Sequence, residues 1–250
     1  MRLLCTSDDG ILAQGLECLV AAAEPLGEVT VVAPDREQSA TSHSLTLHHP
    51  LRPVRRGERR WQVDGTPTDC VMLALEALMP EKPDWVLSGI NHGQNMGEDV
   101  LYSGTVAAAM EGLSLGIPAI AVSFAGGDLR ADVTRLREQV PTLTKVLSHI
   151  VALPTFPANT LLNINLPPRD AKGIRLTRLG RRVYSQSVTE LKDPWGRQIY
   201  WIGGGDISWT GEPDSDFQAI DEGYVSITPL HLDLTHHSLL VDAQTWWKEL

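Results

Sequence analysis

Three cysteines, Cys5, Cys18 and Cys70, are all that 250 residues contain. Their number is odd and no Cys-x-x-Cys pair occurs, which argues against a disulfide framework and against a thiolate zinc site. Long runs of Lys or Arg are missing too, and the net charge is −10. Electrostatic binding of a nucleic-acid polymer or an anionic membrane is therefore not expected. A phosphate-bearing small substrate stays possible if a metal supplies local positive charge. No apolar run approaches the roughly 18 residues that a membrane span needs. The N-terminus carries one Arg and a short apolar stretch, which is not the pattern of a signal peptide. Internal repeats and low-complexity segments are absent. Together these absences lead us to expect a soluble, cytoplasmic protein.

With 42% hydrophobic content, the chain can bury a substantial core as one domain. Leu3, Leu4 and Cys5 form an apolar run too short for a helix, which reads as a buried strand. Asp8-Asp9-Gly10 follows at its carboxyl end, where ligands bind in open α/β sheets. Apolar residues at helical spacing then predict a helix from about Gln14 to Glu24, stopped by Pro25 and Gly27, and Val29–Ala33 reads as the next strand. Strand, helix and strand in this order imply a parallel sheet with a right-handed crossover. A long hydroxyl-rich loop, Glu37-Gln-Ser-Ala-Thr-Ser-His-Ser44, comes next. Residues 51–63 suggest a hairpin. Thr66-Pro67-Thr68-Asp69 is a helix start, with the helix running to about Met79.

Trp85–Leu87 reads as a strand that delivers Ser88-Gly-Ile-Asn-His-Gly-Gln-Asn-Met-Gly97. Ser103-Gly104-Thr105 opens a helix through Leu115, and Ala119–Ser123 is a strand. One helix is expected over about Asp132–Val151, with Pro141 as a break or kink. Leu161–Ile164, Ile174–Leu179 and Gly223–Leu230 complete the expected strands. Residues 181–203 read as one long hairpin around Asp193-Pro-Trp-Gly196, with few residues to bury against its own chain, and Asp242–Leu250 as a terminal helix carrying Trp246 and Trp247. The expected division is a core over about 1–180 with the late strand 223–230, a hairpin extension over 181–203 and a C-terminal segment over 231–250.

Three loops at strand ends thus bring together Asp8 and Asp9, Ser39, and Asn91 or Asn95. Asp-Asp-Gly alone is ordinary turn chemistry. Adjacent carboxylates repel unless a cation lies between them, however, and carboxylate, hydroxyl and carboxamide oxygens suit a hard ion such as Mg²⁺ or Mn²⁺. Backbone N–H groups at Ser103-Gly104-Thr105 suit phosphate. A metal site and an anion cradle on one sheet edge point to phosphate-ester hydrolysis. His43, His92 and His237 are candidates for the general acid.

Along nearly its whole length the sequence resembles the survival protein E (SurE) family of metal-dependent 5′-nucleotidases. The resemblance rests on Asp8-Asp9-Gly10, Val32-Ala-Pro-Asp-Arg36 with Ser39, Ser44-Leu-Thr46, Gly65-Thr-Pro-Thr-Asp-Cys70, Ser88-Gly-Ile-Asn91, Asn95, Tyr102-Ser-Gly-Thr105 and Gly223-Tyr-Val-Ser-Ile-Thr-Pro-Leu230. It implies a Rossmann-like three-layer α/β sandwich with a mostly parallel sheet, plus a protruding hairpin and a C-terminal helix used in oligomerisation. It also implies one divalent ion per subunit on Asp8, Asp9, Ser39 and Asn91, and phosphate held around Asn95, Ser103, Gly104 and Thr105. The implied catalytic residues are Asp8 and Asp9, and the substrate a nucleoside monophosphate, with polyphosphate used by some members. A homodimer or homotetramer is implied as well. The alternatives are an aspartyl-phosphate phosphatase, in which Asp8 or Asp9 attacks directly, and a non-catalytic nucleotide sensor. The chain departs from the family pattern at Ser7, where Asn is usual, at Gln14, where Pro is usual, and at Ala40, where Gly is usual.

Overall fold

A computed structural model describes all residues except 127–128, 185–187, 203–206, 244–245 and 247–250. In chain order it contains β1 (Arg2–Thr6), α1 (Gln14–Ala23), β2 (Glu28–Pro34), β3 (Pro53–Gly57), β4 (Arg60–Val63), α2 (Pro67–Leu73), β5 (Trp85–His92), α3 (Gly104–Ser114), β6 (Ala119–Phe124), α4 (Leu129–Glu138), α5 (Val140–Val151) and β7 (Thr160–Leu166). There follow β8 (Ile174–Leu176), β9 (Arg181–Tyr184), β10 (Val188–Lys192), β11 (Gln198–Ile202), β12 (Ile207–Thr210), α6 (Asp216–Asp221), β13 (Val225–His231) and α7 (His237–Ala243).

Nine strands form one sheet in the order β3-β4-β2-β1-β5-β6-β7-β13-β8. Neighbours from β4 through β7 are parallel. At the two margins β3 is antiparallel to β4, and β13 is antiparallel to β7. The alternation of a pleated strand explains the layers. Leu3 and Cys5 of β1 join a core with Leu16, Leu19, Leu136, Leu143 and Leu147 from α1, α4 and α5. Leu4 between them joins Cys70, Val71, Val106 and Ala109 from α2 and α3 on the other face. Helices therefore cover both faces, which gives the three-layer α/β sandwich expected from the sequence. Strand order reverses at β1, since the chain runs outward to β2 and later returns to β5 on the other side. Such a switch point leaves a crevice at the carboxyl ends of the strands.

Local chemistry sets several boundaries. Thr66 and Asp69 form a reciprocal capping box at the start of α2. The segment expected as one helix to Met79 is α-helical to Leu73 and then widens into a π turn over Ala74–Leu78. Pro141 divides the expected long helix, falling in the first turn of α5, where its missing N–H is harmless. The expected hairpin at 51–63 is present, but β4 adds it to the edge of the main sheet.

One expectation is corrected. The single hairpin over 181–203 is two antiparallel ladders, β10 with β11 and β9 with β12, so the arm runs on to Thr210. The short alternating stretch Ile207-Ser-Trp-Thr210 finds its partner 23 or more positions back in β9, a pairing no local pattern announces. A helix α7 occupies His237–Ala243, and most of the terminal helix expected over Asp242–Leu250, Trp247 included, lies outside the described residues.

The helix α6 was not foreseen. Ser215 caps it by accepting from the Gln218 N–H at 3.3 Å. Asp216, fully buried, does more than start the helix. Its Oδ1 accepts from the N–H groups of Gly180 (2.8 Å) and Phe217 (2.9 Å), and its Oδ2 from that of Gly97 (2.9 Å). One carboxylate thus ties together the base of the arm, α6 and the turn that leads to Ser103. Replacing Asp216 by Ala should strand buried N–H donors and destabilise the fold by roughly 3 kcal/mol. Thermal unfolding checks this, with a midpoint drop of about 10 °C expected for a chain of this size.

Candidate metal and phosphate site

The loop after β1 is fixed before any side chain is considered. The backbone oxygen of Asp8 accepts from the Gln38 N–H at 2.7 Å, and the Ile11 N–H donates to Pro34 O at 2.8 Å. The loops following β1 and β2 are therefore locked together. Gly10 lies at φ 92°, and a Cβ there would stand 3.0 Å from the Arg36 carbonyl carbon, so the turn requires glycine. Ser7 is fully buried, and its hydroxyl accepts from the Asp9 N–H at 3.3 Å. Ser, like Asn, can supply that short-range acceptor, which accounts for the departure at this position.

Asp8 is buried against the N-terminus of α3. The Thr105 hydroxyl donates to its Oδ1. A Cβ on Gly104 would lie 2.9 Å from Asp8 Cβ, so only glycine lets the carboxylate come this close to the helix end. Burial pushes the Asp8 carboxyl up to about 6, opposed by the Thr105 hydrogen bond and reinforced by the charge of Asp9. Asp9 is half-buried, and its Oδ2 accepts from the His92 N–H at 3.1 Å. Burial raises it as well, against that hydrogen bond and with the charge of Glu37 adding to the rise.

The end of β5 brings the carboxamides. Asn91 donates its Nδ2 to Gly93 O at 2.8 Å, which turns its side-chain oxygen away from that contact and leaves it as an acceptor. Asn95 is held on three sides by buried polar groups of β6 and β7. Its N–H donates to Asn165 Oδ1 at 2.9 Å and its Nδ2 to Ser123 Oγ at 2.8 Å. Its backbone oxygen accepts from Asn163 (2.8 Å) and Asn165 (3.0 Å). Ser39 sits on the exposed loop after β2, its hydroxyl donating to Glu37 Oε1 at 2.6 Å. The next residue, Ala40, adopts φ 57°, the left-handed region in which glycine is at ease and alanine is not.

A cavity of about 730 Å³ opens at this point, and Asp8, Ser39, Asn91, Asn95 and Ser103 all line it. Five of the residues singled out from the sequence, drawn from the connections after β1 and β2 and from the end of β5 with the connection that follows it, thus meet in one space. Asp9, Gly104 and Thr105 are not among the residues that line it. The Thr105 hydroxyl is turned toward Asp8 rather than into the cavity. Of the three histidines considered, His92 borders the cavity, whereas His43 pairs with Glu111 and His237 with Asp233. Sequence reasoning missed Gln94, Asp99, Tyr102, Arg182 and Ile202, which with Ala40 complete the wall. Arg182 reaches in from β9 and pairs with Asp99, a contact between residues so far apart in the chain that no local signal marks it.

The donor set has the chemistry of a hard-cation site. Two adjacent carboxylates, both driven upward by burial, are stabilised in their charged form by a nearby cation. The other available donors are a hydroxyl and a carboxamide oxygen, as such ions prefer. Among the described residues no cluster of three or more His, Cys, Asp or Glu side chains could hold a metal; the oxygens here come from two carboxylates, a hydroxyl and a carboxamide. The N-terminus of α3, capped by Ser103 through the Val106 N–H at 3.1 Å, adds a positive helix end beside the cavity.

Comparison with known proteins agrees with this chemistry. A family model described as survival protein SurE matches residues 3–186. A protein of Gemmatimonas aurantiaca named 5′-nucleotidase SurE is 70% identical over 252 residues, covering 100% of both chains. A 5′-nucleotidase SurE of Vibrio cholerae serotype O1 is 47% identical over 253 residues, covering 100% of this chain and 98% of its own. The crystal structure of the SurE protein from Aquifex aeolicus superposes with a TM-score of 0.86 at 39% identity, over 98% of this chain and 99% of that one. The chain described here belongs to the survival protein SurE family.

Proposed function

We propose that this protein is a phosphomonoesterase that hydrolyses nucleoside 5′-monophosphates to nucleoside and phosphate with the help of one divalent metal ion per subunit, Mg²⁺ or Mn²⁺. The observation that carries the reading is the meeting of Asp8, Ser39 and Asn91 with Asn95 and Ser103 in one cavity. The relatives named 5′-nucleotidase support the choice of substrate. Asp8, Asp9, Ser39 and Asn91 are the proposed ligands. When bound, such an ion supplies Lewis acidity toward a phosphoryl oxygen and makes water more acidic.

The chain's own residues do the rest. Thr105 orients Asp8 through its hydroxyl, and Gly104 lets that carboxylate lie against the helix end. The His92 N–H fixes Asp9. Asn95, held rigid by Asn163, Asn165 and Ser123, and Ser103 at the start of α3 hold the phosphate oxygens. Preorganised donors of this kind stabilise charge that develops in the transition state.

We further read the chain as one domain with an arm. Every residue of β10 and β11 is exposed, including Trp201 at 68%, and Trp195 in the turn between them at 79%. A two-stranded ribbon is marginally stable alone in water, and apolar side chains displayed this way mark an interface. The arm and the C-terminal segment are accordingly proposed to join subunits into a dimer or a dimer of dimers. Free, buried cysteines suit a reducing compartment, and we place the enzyme in the cytoplasm. No helix among the described residues is long and apolar enough to cross a membrane.

Phosphate release from AMP should cease in EDTA and return with Mn²⁺ or Mg²⁺; full turnover in EDTA after exhaustive dialysis would overturn the metal. Asp8→Asn and Asp9→Asn should each lose most activity. Thr105→Ala should lower kcat by about 10- to 100-fold, as expected when a group that orients a metal ligand is lost. Near-wild-type kcat and metal affinity in Asp9→Asn would remove Asp9 from the ligand set, and a phospho-aspartate trapped on either residue would establish direct attack instead. Sedimentation should give an oligomer for the wild type and a smaller species when residues 184–202 are replaced by a short Gly-Ser link.

A further inference from the structure

We infer that His43 and Glu111 are a positioning pair that holds the Ser39 loop at a fixed distance from the N-terminus of α3. The inference rests on the reading of Ser39 as a metal ligand and extends it to two residues outside the cavity wall.

The loop between β2 and β3 contains no helix or strand to stiffen it. Two of its residues, Ala40 and Ser42, both lie at φ 57°. Neither is Gly, Asn or Asp, the residues that visit this region readily. A backbone held there twice in three residues persists only where its surroundings over-determine it. On the N-terminal side of Ser39 the restraint is the Gln38 N–H on Asp8 O. On the C-terminal side the Ser42 N–H donates to Tyr102 O at 3.2 Å, and the Ser42 hydroxyl to Leu101 O at 2.5 Å. Immediately after comes the His43 Nε2 to Glu111 Oε2 contact at 2.8 Å. Farther on, Ser44 O accepts from the Thr66 hydroxyl at 2.8 Å, and the Thr46 N–H donates to Asp69 at 2.9 Å.

These anchors differ in what they grip. Those of Ser44 and Thr46 hold the N-terminal cap of α2. Those of Ser42 hold the turn just before Ser103. The His43 contact holds the body of α3, whose first residues carry Gly104 against Asp8. Glu111 lies two turns along that helix, on the order of 10 Å from its start. The helix therefore works as a rigid spacer, with Asp8 packed on one end and the Ser39 loop hooked onto Glu111 farther along. Glu111 is 8% exposed, and a carboxylate in such a place is tolerated only when hydrogen-bonded. Its partner comes from the loop whose position matters most to the site. Loss of the pair frees the loop to leave its left-handed turns, and Ser39 leaves with it.

The test measures Mn²⁺ binding directly, by calorimetry and by the paramagnetic resonance of free Mn²⁺, apart from turnover. Groups that orient metal ligands typically change affinity by 10- to 100-fold. His43→Ala and Glu111→Ala should each weaken Mn²⁺ binding by about tenfold, and the double variant no further, because one contact is removed in all three. His43→Gln, whose amide reaches the same carboxylate, should bind Mn²⁺ like the wild type, a rescue that a general packing role would not give. His43→Leu fills the volume without the hydrogen bond and reads the same loss if the alanine variant does not fold. Wild-type affinity in His43→Ala or His43→Leu overturns the inference. Additive losses in the double variant, or a His43→Gln as impaired as His43→Leu, overturn it equally. A wild-type protein that binds no Mn²⁺ overturns the metal reading itself, and the two failures are thereby distinguished.

Discussion

The contact between the Asp8 carboxylate and the first turn of α3 is the constraint on which the rest of the site depends. It asks for three things at once. The strand β1 must end at Thr6 so that the chain can turn, a residue without a side chain must open the helix, and a hydroxyl must stand one position later. Gly104 and Thr105 meet the last two demands. A buried carboxylate is unfavourable in isolation. Here a helix N-terminus and a hydroxyl donor offset part of that cost, while burial still raises the proton affinity of Asp8. The residual imbalance is what gives such a pair of carboxylates an appetite for a cation.

The topology explains why so many loops can reach this contact. Because strand order reverses at β1, the loops after β1, β2 and β5 diverge around a common crevice. Each is then fixed by hydrogen bonds to its neighbours, two of them backbone to backbone and one to the Asp9 carboxylate. Asp8 O holds Gln38, Pro34 O holds Ile11, and Asp9 holds His92. The buried Asn163 and Asn165 on β7 perform the same service for Asn95 from below the sheet edge. Polar side chains buried in a sheet are costly without hydrogen bonds, and both of these asparagines find an acceptor in the Asn95 backbone oxygen.

How much of this was legible in the sequence follows from the range of the interactions. Asp8-Asp9-Gly10 could be read because an apolar run, a turn and a pair of charges lie within ten residues. Ser103 could be read as a cap because capping is a local hydrogen bond. The parallel sheet followed from the strand–helix–strand rhythm. The turn of the Thr105 hydroxyl toward Asp8 could not be read, since sequence cannot say toward which of two neighbouring groups a hydroxyl turns once the helix starts. Asp216 escaped notice because its three donors come from Gly97, Gly180 and Phe217, and two of those segments are remote in sequence. The pairing of β9 with β12 was lost for the same reason.

The arm and the cavity are mechanically one object at their junction. Arg182 in β9 pairs with Asp99, and both line the cavity. The Arg182 N–H also donates to Glu98 at 2.7 Å, and Asp216 grips Gly97 and Gly180 together. Residues 97–99 are the turn that delivers Ser103, through Asp99 O accepting from the Ser103 N–H at 3.1 Å. Ile202, at the end of β11, reaches the same wall. Any force that moves the base of the arm therefore acts on the turn that carries the start of α3, and through Gly104 on Asp8. The arm and the cavity thus share a wall, made by a short turn of charged residues.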